Sequence, residues 1–130
     1  MLSGLIRNLW TAGAAVLCLA AASAARADTW PSRNITLVLP FAAGSGTDTT
    51  TRLISQHLSQ ALGVGIVIEN KAGANGMLAA SYVAKAAPDG YTLLVTTNTT
   101  HSANPYLLKS LTYDPVKDFT PIARTGDLPF

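Results

Sequence analysis

Two glycines, two hydroxyls and a carboxylate follow one another in Gly44-Ser45-Gly46-Thr47-Asp48. Such a cluster could hold an anion, cradle a pyrophosphate or present a nucleophile. The first chemistry fits best. The apolar run Ile35-Thr36-Leu37-Val38-Leu39 precedes it and an amphipathic stretch follows. The cluster therefore lies where a strand passes through a small-residue loop into a helix. A helix start offers unpaired N–H groups and the positive end of the helix dipole. The glycines let a ligand reach the main chain with no side chain in the way.

The rival chemistries each lack a part. A dinucleotide fingerprint needs a third glycine where this chain has Thr49, although Glu69 stands where a ribose-binding acid would. A phosphate loop needs Lys-Ser or Lys-Thr after the glycines, and neither is there. A hydrolase elbow reads Gly-x-Ser-x-Gly, whereas Ser45 has glycine directly on both sides. Only His57 and His101 could serve Ser45 as a base. His57 falls beside Leu53, Leu58 and Ala61 on the first helix, as a helix-face residue does, and His101 reads as a loop residue rather than a ligand contact, its other reading. Two distant histidines without an acidic cluster do not make a metal site, so no metal or cofactor is expected. Scattered aromatics without a basic stripe exclude a nucleic-acid partner. Lys71 reads as a solvated loop lysine. Asp48 has two readings: a first-turn acid that complements the helix dipole, or a residue that fixes the loop or accepts a bond from a ligand.

The elements that position these residues follow from periodicity. Ile35–Leu39 reads as a strand buried on both faces. A helix follows to about Leu62, with Thr47 as its cap and Gly63 ending it. Leu53, Ile54, Leu58, Ala61 and Leu62 share one face of it. Ile66–Ile68 is a second strand ending at Glu69, followed by the loop Asn70–Gly76 and an Ala-rich helix from about Met77 to Ala86. Pro88-Asp89-Gly90 is a turn. Tyr91–Thr96 is a third strand, Thr97–His101 a polar loop and Ala103–Leu108 a short helix. Thr120–Ala123 is a candidate fourth strand. This alternation is an α/β pattern with a parallel sheet, and ligands bind such sheets beyond the carboxyl ends of the strands. The loops at residues 40–47, 70–76 and 97–101 all fall on that rim. Thr97, Asn98, Thr99 and Thr100 are either a hydrogen-bonding ligand wall there or a solvated loop.

The amino terminus is an address. Arg7, the Ala-rich apolar run from Leu9 to Ala25 and the small-x-small site Ala25-Arg26-Ala27 read as a secretory signal peptide cleaved after Ala27. A membrane anchor is the rival, but the run is dominated by alanine and ends in a cleavage site. Cys18, the only cysteine, lacks the neighbouring small residue of a lipoprotein. The whole chain has nine basic and seven acidic residues. Arg7 and Arg26 leave with the signal, so the remaining seven basic residues balance the seven acidic ones. The basic surplus belongs to export and not to an anionic partner. Residues 28–130 then form one modest domain without a thiol.

Four motifs in order resemble the Bug family, the exported solute receptors of tripartite tricarboxylate transporters: Trp30-Pro31-Ser32-Arg33-Asn34-Ile35; Pro40–Asp48; Glu69-Asn70-Lys71-Ala72-Gly73-Ala74-Asn75-Gly76; and Ala87-Pro88-Asp89-Gly90-Tyr91-Thr92-Leu93-Leu94 with Tyr113-Asp114-Pro115-Val116-Lys117-Asp118-Phe119. Ala42-Ala43, Ser45 and Ala72 depart from the prolines and glycine common in that family. The resemblance implies a periplasmic-binding-protein-like (type II, Venus-flytrap) fold, a periplasmic location and a non-catalytic role. It implies a small carboxylated solute held by main-chain groups of Phe41, Ala42, Ala43, Gly44, Ser45, Gly46, Thr47 and Asp48, with Thr97 to Thr100 orienting the rest. The implied partner is a membrane permease. Residues 28–130 would be the first part of lobe 1, ending at the crossover to a second lobe, and alone would bind solute weakly or not at all. An exported sensor with the same fold and an exported hydrolase using Ser45 are the alternatives.

Overall fold

A computed structural model describes residues 29–127. The chain divides into two compact units, Met1–Trp30 and Pro31–Phe130. Only residues 29 and 30 of the first unit are described, so the expected signal peptide lies outside the described residues.

The second unit is built on a three-stranded parallel sheet in the order β2-β1-β3. β1 is Ile35–Leu39, β2 is Ile66–Asn70 and β3 is Thr92–Leu94. β1 takes the centre because it is the most apolar strand and can be covered on both sides. Ile35, Leu37, Val38 and Leu39 are all buried. Ile35 pairs with Ile66 and Leu39 with Asn70, while Thr36 to Val38 pair with Thr92 to Leu94. β3 is shorter than the sequence suggests. Its ladder still reaches one residue further each way, through Thr36 N–H to Tyr91 O (2.8 Å) and Val95 N–H to Val38 O (2.9 Å).

Alternate residues of β1 divide the core. Ile35, Leu37 and Leu39 pack with Ile66, Ile68, Leu93 and Val95 and with Leu62 of α1, the helix Gly46–Leu62. Val38 points to the other face. α2, Met77–Ala84, contributes fully buried Ala79 and Ala80 and contacts both β1 and β3. Right-handed crossovers from β1 to β2, and from β2 back past β1 to β3, put the two helices on opposite faces. α3 is the short helix Asn104–Leu107. Residues 120–123 form no strand and are exposed, so the expected fourth strand is absent from the described residues.

α1 corrects two expectations. Its cap is Ser45, not Thr47: Ser45 has extended backbone and its hydroxyl accepts the Asp48 N–H at 3.2 Å. Gly63 ends the helix as expected, at φ 70° with its N–H on Ser59 O at 3.0 Å. The face turned inward also differs. Leu53 and Leu58 are exposed, and the buried residues are Asp48, Thr51 and Ser55. The physical reason is local. Thr51 and Ser55 donate their hydroxyls to the carbonyls of Thr47 and Thr51, each at 2.7 Å, so both bury without an unmet polar group. Their small side chains let the helix lie close to the sheet, and the Asp48 bonds described below fix its rotation. Among the described residues no helix is long and apolar enough to cross a membrane.

Ser45→Ala should lower stability by about 1 kcal/mol through the lost cap. Thr47→Ala should stay within about 0.5 kcal/mol. Urea denaturation midpoints decide between the two caps, and equal losses would contradict the assignment of Ser45.

Candidate functional site

The rim at the carboxyl ends of the strands is built from three chain segments. The first leaves β1 at buried Pro40 and turns through Phe41 to Ser45, with Gly44 at φ 81°. Asp48 holds this loop. Its side chain is buried, 3% exposed. Oδ2 accepts the Gly44 N–H and the Arg52 Nε–H, both at 2.9 Å, and Oδ1 accepts Asn70 Nδ2–H at 2.9 Å. Asn70 Nδ2 also donates to Phe41 O at 3.0 Å. Both readings of Asp48 meet in the geometry: it is the acid in the first turn of α1, and its bonds fix the loop. The Arg52 guanidinium, the Gly44 amide and the Asn70 amide together hold its carboxyl well below the usual carboxylate range.

The second segment follows β2. Lys71 N–H bonds Leu39 O at 2.8 Å, and four successive residues then have positive φ: Gly73 127°, Ala74 48°, Asn75 53° and Gly76 82°. Alanine rarely occupies that region, so the turn stores strain where the three segments meet. Gly76 shows why. A Cβ there would lie 2.7 Å from Thr100 Cγ2 and 3.1 Å from Pro40 Cβ. Only glycine lets the three segments close on one another. Lys71 differs from the solvated lysine expected. Its ammonium lies 2.7 Å from Glu69 Oε1 and 4.2 Å from the Tyr82 ring centroid, and the Glu69 carboxylate raises its pKa. Glu69 is thereby engaged as its partner.

The third segment follows β3. Thr97 Oγ1 donates to Thr99 Oγ1 at 3.3 Å, and Thr96 Oγ1 meets Thr100 Oγ1 at 3.0 Å. Thr99–Ala103 is a π-helical turn, a form that recurs at functional sites. Two buried side chains lock it. Tyr113 Oη donates to Thr100 O at 2.6 Å. Asn104 Nδ2 donates to Asn75 O at 2.9 Å and to Tyr113 Oη at 3.3 Å. One amide and one phenol thus tie the third segment to the strained turn of the second.

Between the segments is a cleft of about 160 Å³ lined by Pro40, Phe41, Gly73, Asn75, Gly76, Thr96, Thr99 and Thr100. It lies at the β1/β3 end, where the direction of chain winding reverses, which is where such sheets bind ligands. Of the residues expected from sequence, Phe41, Thr99 and Thr100 line it. Ala42, Ala43, Gly44 and Gly46 are exposed around the start of α1, Asp48 lies beneath the loop, and Thr97 and Asn98 are outside the lining. Pro40, Gly73, Asn75, Gly76 and Thr96 were not foreseen as site residues. The glycine pair Gly73 and Gly76 was the available signal, since it marked a loop with unusual backbone on the same rim. Asn70, Asn104 and Tyr113 carried no signal of their own.

The cleft lining contains no cationic side chain. The positive potential of the first segment comes from α1, whose Gly46 and Thr47 amides have no hydrogen-bond partner among the described residues. Ser45 Oγ is committed to the cap, and neither histidine is bonded to it: His57 is exposed on α1, and His101 Nδ1 meets Thr100 Oγ1 at 2.7 Å. Nothing in that arrangement activates Ser45 as a nucleophile. Among the described residues no three His, Cys, Asp or Glu side chains come together as a metal site.

Comparison with known proteins gives a consistent likeness. Residues 50–130 match the tripartite tricarboxylate transporter family receptor. The chain is 45% identical over 129 residues to a UPF0065 protein of Bordetella bronchiseptica, covering 99% of this chain and 38% of that one. It is 38% identical over 104 residues to BugT of Bordetella pertussis, covering 79% and 32%. Among solved structures, MatC of Rhodopseudomonas palustris with bound malate matches with a TM-score of 0.68 and 52% identity, over 71% of this chain and 31% of that one. The chain thus spans about a third of the length of these relatives.

Two consequences are testable. Gly76→Ala should destabilise by more than about 1 kcal/mol, since it adds a steric clash to a disfavoured φ; a urea midpoint within error of the parent would contradict the close approach. For Asp48 the folded pKa lies below the unfolded one. Its contribution is therefore present above the unfolded value of about 4 and is lost as pH falls below that value toward the folded pKa. Asp48→Asn should be less stable at neutral pH and lose less further stability than the parent between about pH 5 and pH 2. Parallel pH profiles would contradict the buried-carboxylate account.

Proposed function

Since this chain belongs to the tripartite tricarboxylate transporter receptor family, we propose that it is part of the first lobe of an exported receptor that delivers a small carboxylate to a membrane permease. Residues 1–27 act as the export signal, and the protein works in the periplasm. The receptor role is a binding one and involves no bond-breaking step, so the hydrolase alternative falls away.

In this reading a solute carboxylate sits against the amides between Phe41 and Thr47, with Gly46 and Thr47 donating directly and Asp48 keeping the loop in shape beneath. Thr99 and Thr100 form the opposite wall and meet the rest of the solute by hydrogen bonds, with Thr97 and Asn98 flanking them. The observation that carries the proposal is the pair of unpartnered amides at the positive end of a 17-residue helix, in the loop whose Phe41 lines the cleft. Such a site suits an anion, because amide donors and a helix dipole stabilise negative charge without a counter-charge to desolvate. MatC, the relative with malate bound, makes a dicarboxylate the first candidate. A cleft of about 160 Å³ is smaller than the roughly 300–1,000 Å³ of an enclosing small-molecule pocket. Binding by this chain is accordingly weak, on the order of a millimolar Kd or about 4 kcal/mol.

The test is a titration of the full chain with malate, followed by amide chemical shifts. The expected shifts centre on residues 41–47, 99 and 100 and spare the far end of α1. Shifts absent up to saturating malate, or confined to other faces, would remove the proposal. Gly46→Pro sharpens it. Gly46 is the first helical residue and an added Cβ meets nothing within 4 Å, while Ser45 already has the extended backbone that proline demands of its predecessor. The variant should therefore fold with unchanged stability and lack only the N–H, weakening malate about tenfold or more.

A further inference from the structure

The threonine wall of the cleft ends in a histidine that does not line it. Thr96 Oγ1 lies 3.0 Å from Thr100 Oγ1, and Thr100 Oγ1 lies 2.7 Å from His101 Nδ1. Thr96 and Thr100 line the cleft and His101 does not. A hydroxyl has one proton to donate, so Thr100 can donate to Thr96 or to His101 but not to both. The proton at one end of this row therefore sets the direction of every bond in it. With Nδ1 bare, Thr100 donates to the imidazole and Thr96 donates to Thr100, so Thr96 offers the cleft only lone pairs. With a proton on Nδ1, the imidazole donates to Thr100, Thr100 donates to Thr96, and the Thr96 proton is free for a ligand acceptor. The other acceptor near Thr96 Oγ1 is Thr97 O at 3.5 Å, too long to hold that proton firmly.

The row is held rigidly enough for this to matter. Thr100 is buried, and its carbonyl accepts the Tyr113 hydroxyl at 2.6 Å. The His101 ring packs edge-on against Phe119, with centroids 4.8 Å apart, and Phe119 packs edge-on against Tyr113. Those rings fix the imidazole plane, so Nδ1 stays on Thr100 in either state.

We propose that His101 is a positioning residue that sets the hydrogen-bond polarity of the cleft wall, taking a proton on Nδ1 when an anionic solute binds so that Thr96 donates to the solute. This rests on the receptor reading above. In the free protein burial pushes the His101 pKa down, which favours the neutral ring, and on this proposal the single proton of that ring sits on Nε2. Among the described residues no charged side chain bonds or pairs with it. The segment packed on it supplies Tyr113, committed to Thr100 O, and Phe119. Of the charged residues of that segment, Lys117 pairs with Asp114 at 3.8 Å and Asp118 accepts the Asp114 backbone N–H at 2.7 Å. α3 carries no charged residue. A bound carboxylate is then the one new charge in reach of the row. The reaction is a proton taken from solvent onto Nδ1 and the reversal of two hydroxyl rotors, with no other group changing its protonation. By linkage, malate affinity rises as pH falls.

The test uses the full chain labelled with ¹⁵N in its two histidines, titrated with malate between about pH 8 and pH 6. The expected result is an Nδ1 that is bare in the free chain and protonated in the complex. Malate affinity rises roughly threefold to tenfold over that range, and adding malate at a fixed pH leaves the His57 signals unchanged. His101→Phe keeps the ring against Phe119 but has no Nδ1; it should bind malate more weakly and with no pH dependence. His101→Asn can donate from near the same position and should restore affinity without the pH dependence, a separation that a purely structural role would not produce. Should either variant fail to fold, the ¹⁵N spectra of the parent chain decide alone. Malate bound at the loop with Nδ1 still bare and affinity flat with pH overturns this proposal and leaves the receptor reading intact. No malate-dependent shift at residues 41–47 or 99–100 overturns the receptor reading, and this inference with it.

Discussion

A buried carboxylate organises the carboxyl edge of this sheet. Asp48 accepts three bonds from three places in the chain: the loop at Gly44, its own helix at Arg52 and the end of β2 at Asn70. A buried acid without partners would be driven to its neutral form. Here every donor favours the charge, so the group stays ionised and the donors stay with it. The rotation of α1, the path of the loop after β1 and the alignment of the loop with β2 all follow from meeting that one demand. The Arg52 guanidinium, the Gly44 amide and the Asn70 amide leave Asp48 few free lone pairs, which suits a support for the loop better than a direct ligand.

A second, uncharged junction repeats the logic on the other wall. Asn104 and Tyr113 hold Asn75 O and Thr100 O, and Gly76 lets Pro40 and Thr100 close around it. The Asn104 amide nitrogen and the Tyr113 hydroxyl are met and fix the geometry, while the buried Asn104 Oδ1 has no partner among the described residues. The two junctions together hold the walls of the cleft. The strain of the positive-φ turn at Gly73–Gly76 persists because these bonds over-determine it. On the proposed reading, the ligand-facing chemistry falls to main-chain amides on one side and hydroxyls on the other. Neither kind of group is specific to one length or substitution of carboxylate.

Much of the fold was legible in the chain. The apolar run Ile35–Leu39 announced a central strand, Gly63 announced the helix end, and the alternation of strand and helix announced a parallel sheet with loops on one rim. Those features are local: they depend on side-chain period, on φ > 0 at a glycine and on short connections. The inward face of α1 was misread because hydrophobicity pointed to Leu53 and Leu58, whereas Asp48, Thr51 and Ser55 are the buried ones. Their hydroxyls satisfy themselves on the preceding turn, and that option is invisible to a count of apolar residues. The fourth strand was misread because Thr120–Ala123 has strand-like residues but no neighbouring strand to pair with among the described residues.

The sequence by itself determined the order of elements, the loop that can present amides to an anion, and the family to which the chain belongs. These rest on short-range stereochemistry and on residue order, which the chain carries directly. The tertiary structure alone decided that Asp48 turns inward, that Gly76 is the meeting point of three segments, that Asn70, Asn104 and Tyr113 hold the walls, and that His101 ends a row of hydroxyls. The reason is separation along the chain. Asn70 meets Phe41 across 29 residues, and Asn104 meets Asn75 across another 29. Nothing local to an asparagine reveals which distant carbonyl it will satisfy until packing brings the two together.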